Sequence, residues 1–238
     1  EIDNAYNITA DCLFFIGSVC VLVTASWNFS FSSTSIAATD ADKAMFWISV
    51  LAVLGPLIYL CNAFVEIAVA IRPIRRASGE YHHQYLPLLT TATSCRVQSH
   101  WDLLSNILFG IAAAIDLTIA LHRHITDSTE TFSSTVDLRF ISVYWYFLSG
   151  STAVFGFQHF SFCTSPIYRL LIGTGDILFL TGCTIDLILS CLARSEEDIC
   201  RFLFLSSILW LVNSVLYLVA DVIAHFYNTR KNNDAAHF

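Results

Sequence analysis

Residues 101–121 read WDLLSNILFGIAAAIDLTIAL, an apolar run broken by two carboxylates, Asp102 and Asp116. A helix needs ~20 such residues to cross the hydrocarbon layer of a bilayer. Comparable runs occupy roughly 8–27, 44–72, 138–163, 168–193 and 202–227 of the 238 residues. Hydrophobic residues make up 55% of the chain and charged ones 13%, and the mean hydropathy is +0.62. Those values exclude an ordinary water-soluble domain. The expected fold is an all-α integral membrane protein with six transmembrane helices arranged as three tandem helical hairpins, at about 8–72, 101–163 and 168–227, with 73–100 as a longer loop. The net charge of −7 and the lack of a dense Lys/Arg patch point away from nucleic acid, leaving membrane lipids and other membrane protein subunits as the expected partners.

Within the third span, Asn106-Ile107-Leu108-Phe109-Gly110-Ile111-Ala112 has counterparts in Asp11-Cys12-Leu13-Phe14-Phe15-Ile16-Gly17 of the first and Asp176-Ile177-Leu178-Phe179-Leu180-Thr181-Gly182 of the fifth. The shared pattern is Asp or Asn, then Leu-Phe, then Gly or Ala. Its key positions i, i+3 and i+6 lie on one side of a helix, where the small residue lets a neighbouring backbone approach and Phe fills the adjoining gap. Ile115-Asp116-Leu117 and Ile185-Asp186-Leu187 extend the match between the third and fifth spans. Among even spans, Leu57-Ile58-Tyr59-Leu60 aligns with Val215-Leu216-Tyr217-Leu218, and Ala153-Val154-Phe155-Gly156 is a weaker third copy. The chain thus reads as one hairpin unit repeated three times in parallel.

This motif resembles the YrhK-like membrane domain, a two-helix unit. The likeness is carried by Leu13-Phe14-Phe15-Ile16-Gly17-Ser18, Asn106-Ile107-Leu108-Phe109 and Asp176-Ile177-Leu178-Phe179, with Trp47 through Gly55 matching the second helix. The resemblance implies a fold of three such hairpins and transfers no catalytic residue.

Six spans place both termini on one face. That face holds seven Lys/Arg residues (Arg72, Arg75, Arg76, Arg96, Arg169, Arg230 and Lys231), against Lys43, Arg123, Arg139, Arg194 and Arg201 opposite. The positive-inside rule then sets the termini in the cytoplasm, matrix or stroma. The chain starts at Glu1 and its only methionine is Met45, so removal of an N-terminal segment is expected, which suits an organelle membrane. Of eight cysteines, Cys12, Cys20, Cys61, Cys183 and Cys191 fall in spans as small packing residues, while Cys95, Cys163 and Cys200 have no readable pairing. No CxxC or CxxxH spacing marks a metal site.

Polar residues at membrane depth are costly and so are candidate functional residues. Toward the terminus-bearing side lie Asp11, Asn62, Glu66, Asn106, His159, Asp176, Asp221 and His225, a polar layer drawn from all six spans. Asp221 with His225, and Asn62 with Glu66, are i, i+4 pairs on one helix face. Asp116 and Asp186 form a second pair toward the opposite side. The layer has three readings: caps and interhelical hydrogen bonds, an ion or proton path, or cofactor ligation, with His159, His225 or Glu66 holding haem or chlorophyll. His122-Arg123-His124 and His82-His83 read as solvated loop clusters.

No GxSxG, HExxH, Walker or GxGxxG pattern occurs, and Gly173-Thr174-Gly175 lacks the context of a phosphate loop, so an enzyme is not expected. The leading functional expectation is a noncatalytic accessory or scaffold subunit of a larger membrane assembly, packing lipids, chlorophyll, carotenoid or partner helices. The alternative is a small ion or proton transporter or channel using the carboxylate and histidine layer.

Overall fold

The computed structural model describes residues 2–31, 38–79, 89–126, 132–158, 166–192 and 196–235. All of these are helical: α1 (Ile2–Phe31), α2 (Ala38–Gly79), α3 (Leu89–Thr126), α4 (Phe132–Gln158), α5 (Pro166–Leu192) and α6 (Glu196–Ala235). Each contains a segment long and apolar enough to cross a membrane, at Tyr6–Asn28, Ala44–Ile71, His100–Ile125, Arg139–Phe157, Pro166–Leu192 and Arg201–Phe226. The helices overrun the hydropathy-defined spans. α2 continues past Pro56 and Pro73 to Gly79, and α3 starts at Leu89, so most of the expected 73–100 loop is helix. Residues 122–124 likewise belong to the end of α3 and not to a loop, with His124 Nδ1 3.2 Å from Ser49 Oγ of α2.

Helix contacts close into a ring. Among the described residues each helix meets its two neighbours in sequence, and α1 meets α6 to complete the circle. The ring presents apolar side chains outward, Trp47 and Phe64 being 64% exposed, and buries Asp11, Asn62, Asp176, Asn213 and a set of serines inward. This inversion of the soluble-protein pattern is what a hydrocarbon surround selects, because apolar side chains cost nothing in lipid while polar ones need protein partners. Cys20 and Cys183 are buried as expected of packing residues, whereas Cys61 and Cys191 face outward; all five span cysteines are free thiols. The side chains of Cys95, Cys163 and Cys200 lie outside the described residues.

At mid-depth the axis is filled by rings. Phe14, Phe109 and Phe179, the phenylalanines of the shared motif, meet one another with centroids 5.7, 6.3 and 5.9 Å apart. Tyr59, Tyr146 and Trp210 from the even helices interleave with them: Phe14–Tyr59 is 5.4 Å, Phe109–Tyr146 is 5.2 Å and Phe179–Trp210 is 5.3 Å. Tilted and edge-to-face pairs at these separations suit the ring quadrupoles. Glycine makes room for the even-helix rings. A Cβ on Gly17 would lie 2.6 Å from the Tyr59 ring, and one on Gly182 would lie 2.6 Å from the Trp210 indole.

This geometry corrects the alignment of the even helices. Tyr59 packs on Gly17 as Trp210 packs on Gly182, whereas Tyr217 packs on Gly175. The spatial counterpart of Tyr59 is therefore Trp210, seven residues before the Tyr217 that the sequence match selects. Seven residues are two helical turns, a slip that keeps the same helix face and so leaves the apolar pattern almost unchanged.

Candidate functional site

Below the aromatic layer, toward the end carrying the termini, the ring forms a partly open cavity of about 80 Å³. Its roof is Phe14, Phe109 and Phe179, and its polar lining is Asp11, Asn62, Glu66, Ser105, Asn106, Ser149, Asn213 and Tyr217. A volume of that size and polarity holds a few waters or a small ion. Four of the expected layer residues thus share one cavity: Asp11, Asn62, Glu66 and Asn106.

The remaining expected residues take other places. Asp176 accepts a hydrogen bond from the Tyr217 hydroxyl and sits behind the cavity wall. Asp221 accepts one from Tyr168 Oη at 3.1 Å, joining α5 to α6, and Asp11 of α1 lies near enough to interact with it electrostatically. His225, half-buried one turn beyond Asp221, has its ring 6.1 Å from that of Phe226. It does not line the cavity. His159 lies outside the described residues, as do His82 and His83.

Several residues of the site are absent from the expected layer. Asn213 is fully buried, and neither its Oδ1 nor its Nδ2 has a hydrogen-bond partner. Beside it Asn62 Oδ1, from the expected layer, is also buried without a partner. Ser105 and Ser149 exchange reciprocal bonds across the α3–α4 seam, each hydroxyl donating to the other's carbonyl at 3.0 and 2.9 Å. Asp102 stands close enough to Asp176 for the two charges to interact. The readable signal for Tyr217 and Asn213 is their i, i+4 spacing on one face of α6, masked because Tyr217 also fits an apolar packing motif.

Beyond the aromatic layer lies a second polar level. Ser142 donates to Asp116 Oδ1 at 2.5 Å, whereas Ser206, at the corresponding place on α6, donates to the Leu203 carbonyl at 3.2 Å and Asp186 Oδ1 is buried without a partner. Arg139 lies near enough to interact with both carboxylates. In the first hairpin the corresponding pair is apolar: Gly55 faces Val21, whose Cγ2 would be 3.3 Å from an added Cβ. Ser18 and Tyr59 hydroxyls, 3.1 Å apart, are the polar contact between the two levels on that side.

Comparison with known proteins gives no match to any family model, curated protein or solved structure.

Proposed function

We propose that this chain is a small multi-pass membrane transporter that moves protons or small cations along the axis of its helix ring. The observation that carries the reading is the axial cavity, lined by the carboxylates of Asp11 and Glu66 with no Lys, Arg or His among its lining residues. Negative charge in a low-dielectric interior has to be matched by protons or a cation, and ionisable residues facing a bundle interior are the usual mark of an ion pathway.

The two polar levels supply stations on either side of a barrier. Asp11, Asp221 and Glu66 exchange protons or ions on the terminus-bearing side. Asp116 and Asp186 do so on the far side. The aromatic layer between them is the gate, opened when one hairpin rocks against the others, as rigid repeats do around a central site in other transporters. The three hairpins are read as copies of one YrhK-like unit, with both termini on the cytoplasmic, matrix or stromal side. An accessory-subunit role is better served by a motif turned outward to a partner. Here the motif phenylalanines are turned inward to one another.

The test is flux in proteoliposomes carrying an internal pH indicator. Wild-type protein is expected to dissipate an imposed proton or cation gradient, and Asp11→Asn to slow it by about tenfold or more, the effect of removing an essential proton-transfer group. No flux from correctly folded wild-type protein overturns the reading. Co-migration with a large complex after gentle extraction would then return the accessory subunit as the account.

A further inference from the structure

We propose that the axial cavity is a binding site for a monovalent hard cation of the sodium class, held by the carboxylates of Asp11 and Glu66 and the carboxamide oxygens of Asn62, Asn106 and Asn213. This names the species for the transport reading above and rests on that reading only for the claim that the ion crosses the membrane.

The donor chemistry comes first. Every polar group lining the cavity ends in a carboxylate, carboxamide or hydroxyl, and no imidazole, thiol or thioether is among them. All-oxygen sets favour alkali and alkaline-earth ions over zinc, copper or iron. The second observation is independent of the carboxylates. Asn213 is 0% exposed, Asn62 is 7% exposed, and Asn62 Oδ1 and both polar atoms of Asn213 have no hydrogen-bond partner. Buried polar atoms at membrane depth are costly to leave unpaired, because lipid cannot satisfy them, and the two amide oxygens among these are acceptors that a cation can take. These come from α2 and α6, which are not ring neighbours, and they border the same cavity as the carboxylate of α1. Asn213 Oδ1 also rests against Gly175 of α5, where an added Cβ would lie 2.7 Å from it.

Charge count selects the valence. Among the described residues no three His, Cys, Asp or Glu side chains converge as a metal-holding group. Sites for calcium or magnesium generally gather several carboxylates, whereas neutral oxygens with one or two carboxylates match a single positive charge. The remaining lining is the rings of Phe14, Phe109 and Phe179 and Ala153, an apolar wall that raises the value of each ion–oxygen contact beside it.

The measurement is binding by the purified full chain in detergent, at fixed pH and fixed ionic strength, with sodium chloride replacing choline chloride. A saturable heat of binding and a saturable rise in Tm with sodium are expected. Glu66→Gln and Asn213→Leu are each expected to weaken the apparent affinity about tenfold or more. Glu66→Gln is isosteric and keeps the test decisive if Asn213→Leu does not fold. Identical behaviour in sodium and choline overturns the site, as does sodium binding that neither variant alters. Tighter binding of calcium than of sodium overturns the monovalent assignment. Sodium binding without flux in proteoliposomes leaves the site standing and removes the transport reading. Proton flux with no sodium binding removes the site and leaves the transport reading as a proton path.

Discussion

The aromatic layer and the cavity beneath it stand on the same faces of the same helices, one turn apart, and they follow opposite rules. Phe14 follows Asp11 by three residues, Phe109 follows Asn106 by three and Phe179 follows Asp176 by three. In the upper layer every ring has ring neighbours, and glycines admit them closely. In the lower layer Asn213 and Asn62 have buried polar atoms with no partner. The aromatic layer fills its space with rings even though Tyr146 Oη and Trp210 Nε1 are buried there without partners, while the lower layer leaves a cavity beside its unpartnered amides. The contrast separates what holds this ring together from what the ring can act with.

The comparison can be broken most sharply at its centre. Phe109 touches Phe14, Tyr59, Tyr146 and Phe179, so Phe109→Ala is expected to cost about 3–5 kcal/mol of unfolding free energy, measured by reversible denaturation in mixed micelles. Phe64→Ala, on the outward face, serves as the control and should cost well under about 1 kcal/mol, because lipid or detergent replaces the lost contacts. Equal losses at the two positions would remove the aromatic layer as the structural centre.

Gly182→Ala comes next in size. The added methyl meets the Trp210 indole, and overpacking of that kind costs about 1–3 kcal/mol. Trp210→Phe in the same chain frees space and should recover part of the loss, a coupling that a double-mutant cycle reads directly. Additive losses would show that the two residues do not press on one another.

Tyr217→Phe, which removes the hydroxyl that Asp176 accepts, sharpens the comparison from the polar side. Interhelical hydrogen bonds in membranes average about 0.6 kcal/mol, so a change of that order is expected. A loss rivalling that of Phe109→Ala would make the polar level a main structural element.

Much of the fold was legible because hydropathy alone decides it. Six runs of sufficient length leave a helical membrane bundle as the economical reading, and the spacing of Asp/Asn, Phe and Gly/Ala puts each motif on one side of its helix, the side that the closed ring turns inward at Phe14, Phe109 and Phe179. Helix ends were not legible. Beyond the bilayer, polar sequence supports a helix as readily as a loop, and α2 runs through Pro73 into residues that hydropathy assigns to a connection. The even helices misled for a different reason. Tyrosine offers both a packing ring and a hydroxyl, so Tyr59 and Tyr217 look alike in sequence, yet one fills the aromatic layer and the other bonds Asp176.

The candidate site was legible in its charges and not in its neutral partners. A carboxylate in an apolar run is conspicuous, so Asp11, Glu66, Asp176 and Asp221 stand out at once. An asparagine or serine in such a run is common as interhelical glue, and only the closed ring distinguishes Ser105, bonded across a seam, from Asn213, left unpaired at the cavity.

The most direct test of the central claim is to measure stability and flux together in Glu66→Gln, which keeps the shape of the side chain and removes its charge. Unfolding free energy within about 0.5 kcal/mol of wild type, with flux across proteoliposomes abolished, is the expected pair of results for a residue that serves transport and not the fold. Flux retained at the wild-type rate, with stability lost, would contradict the account and assign the cavity carboxylate to structure.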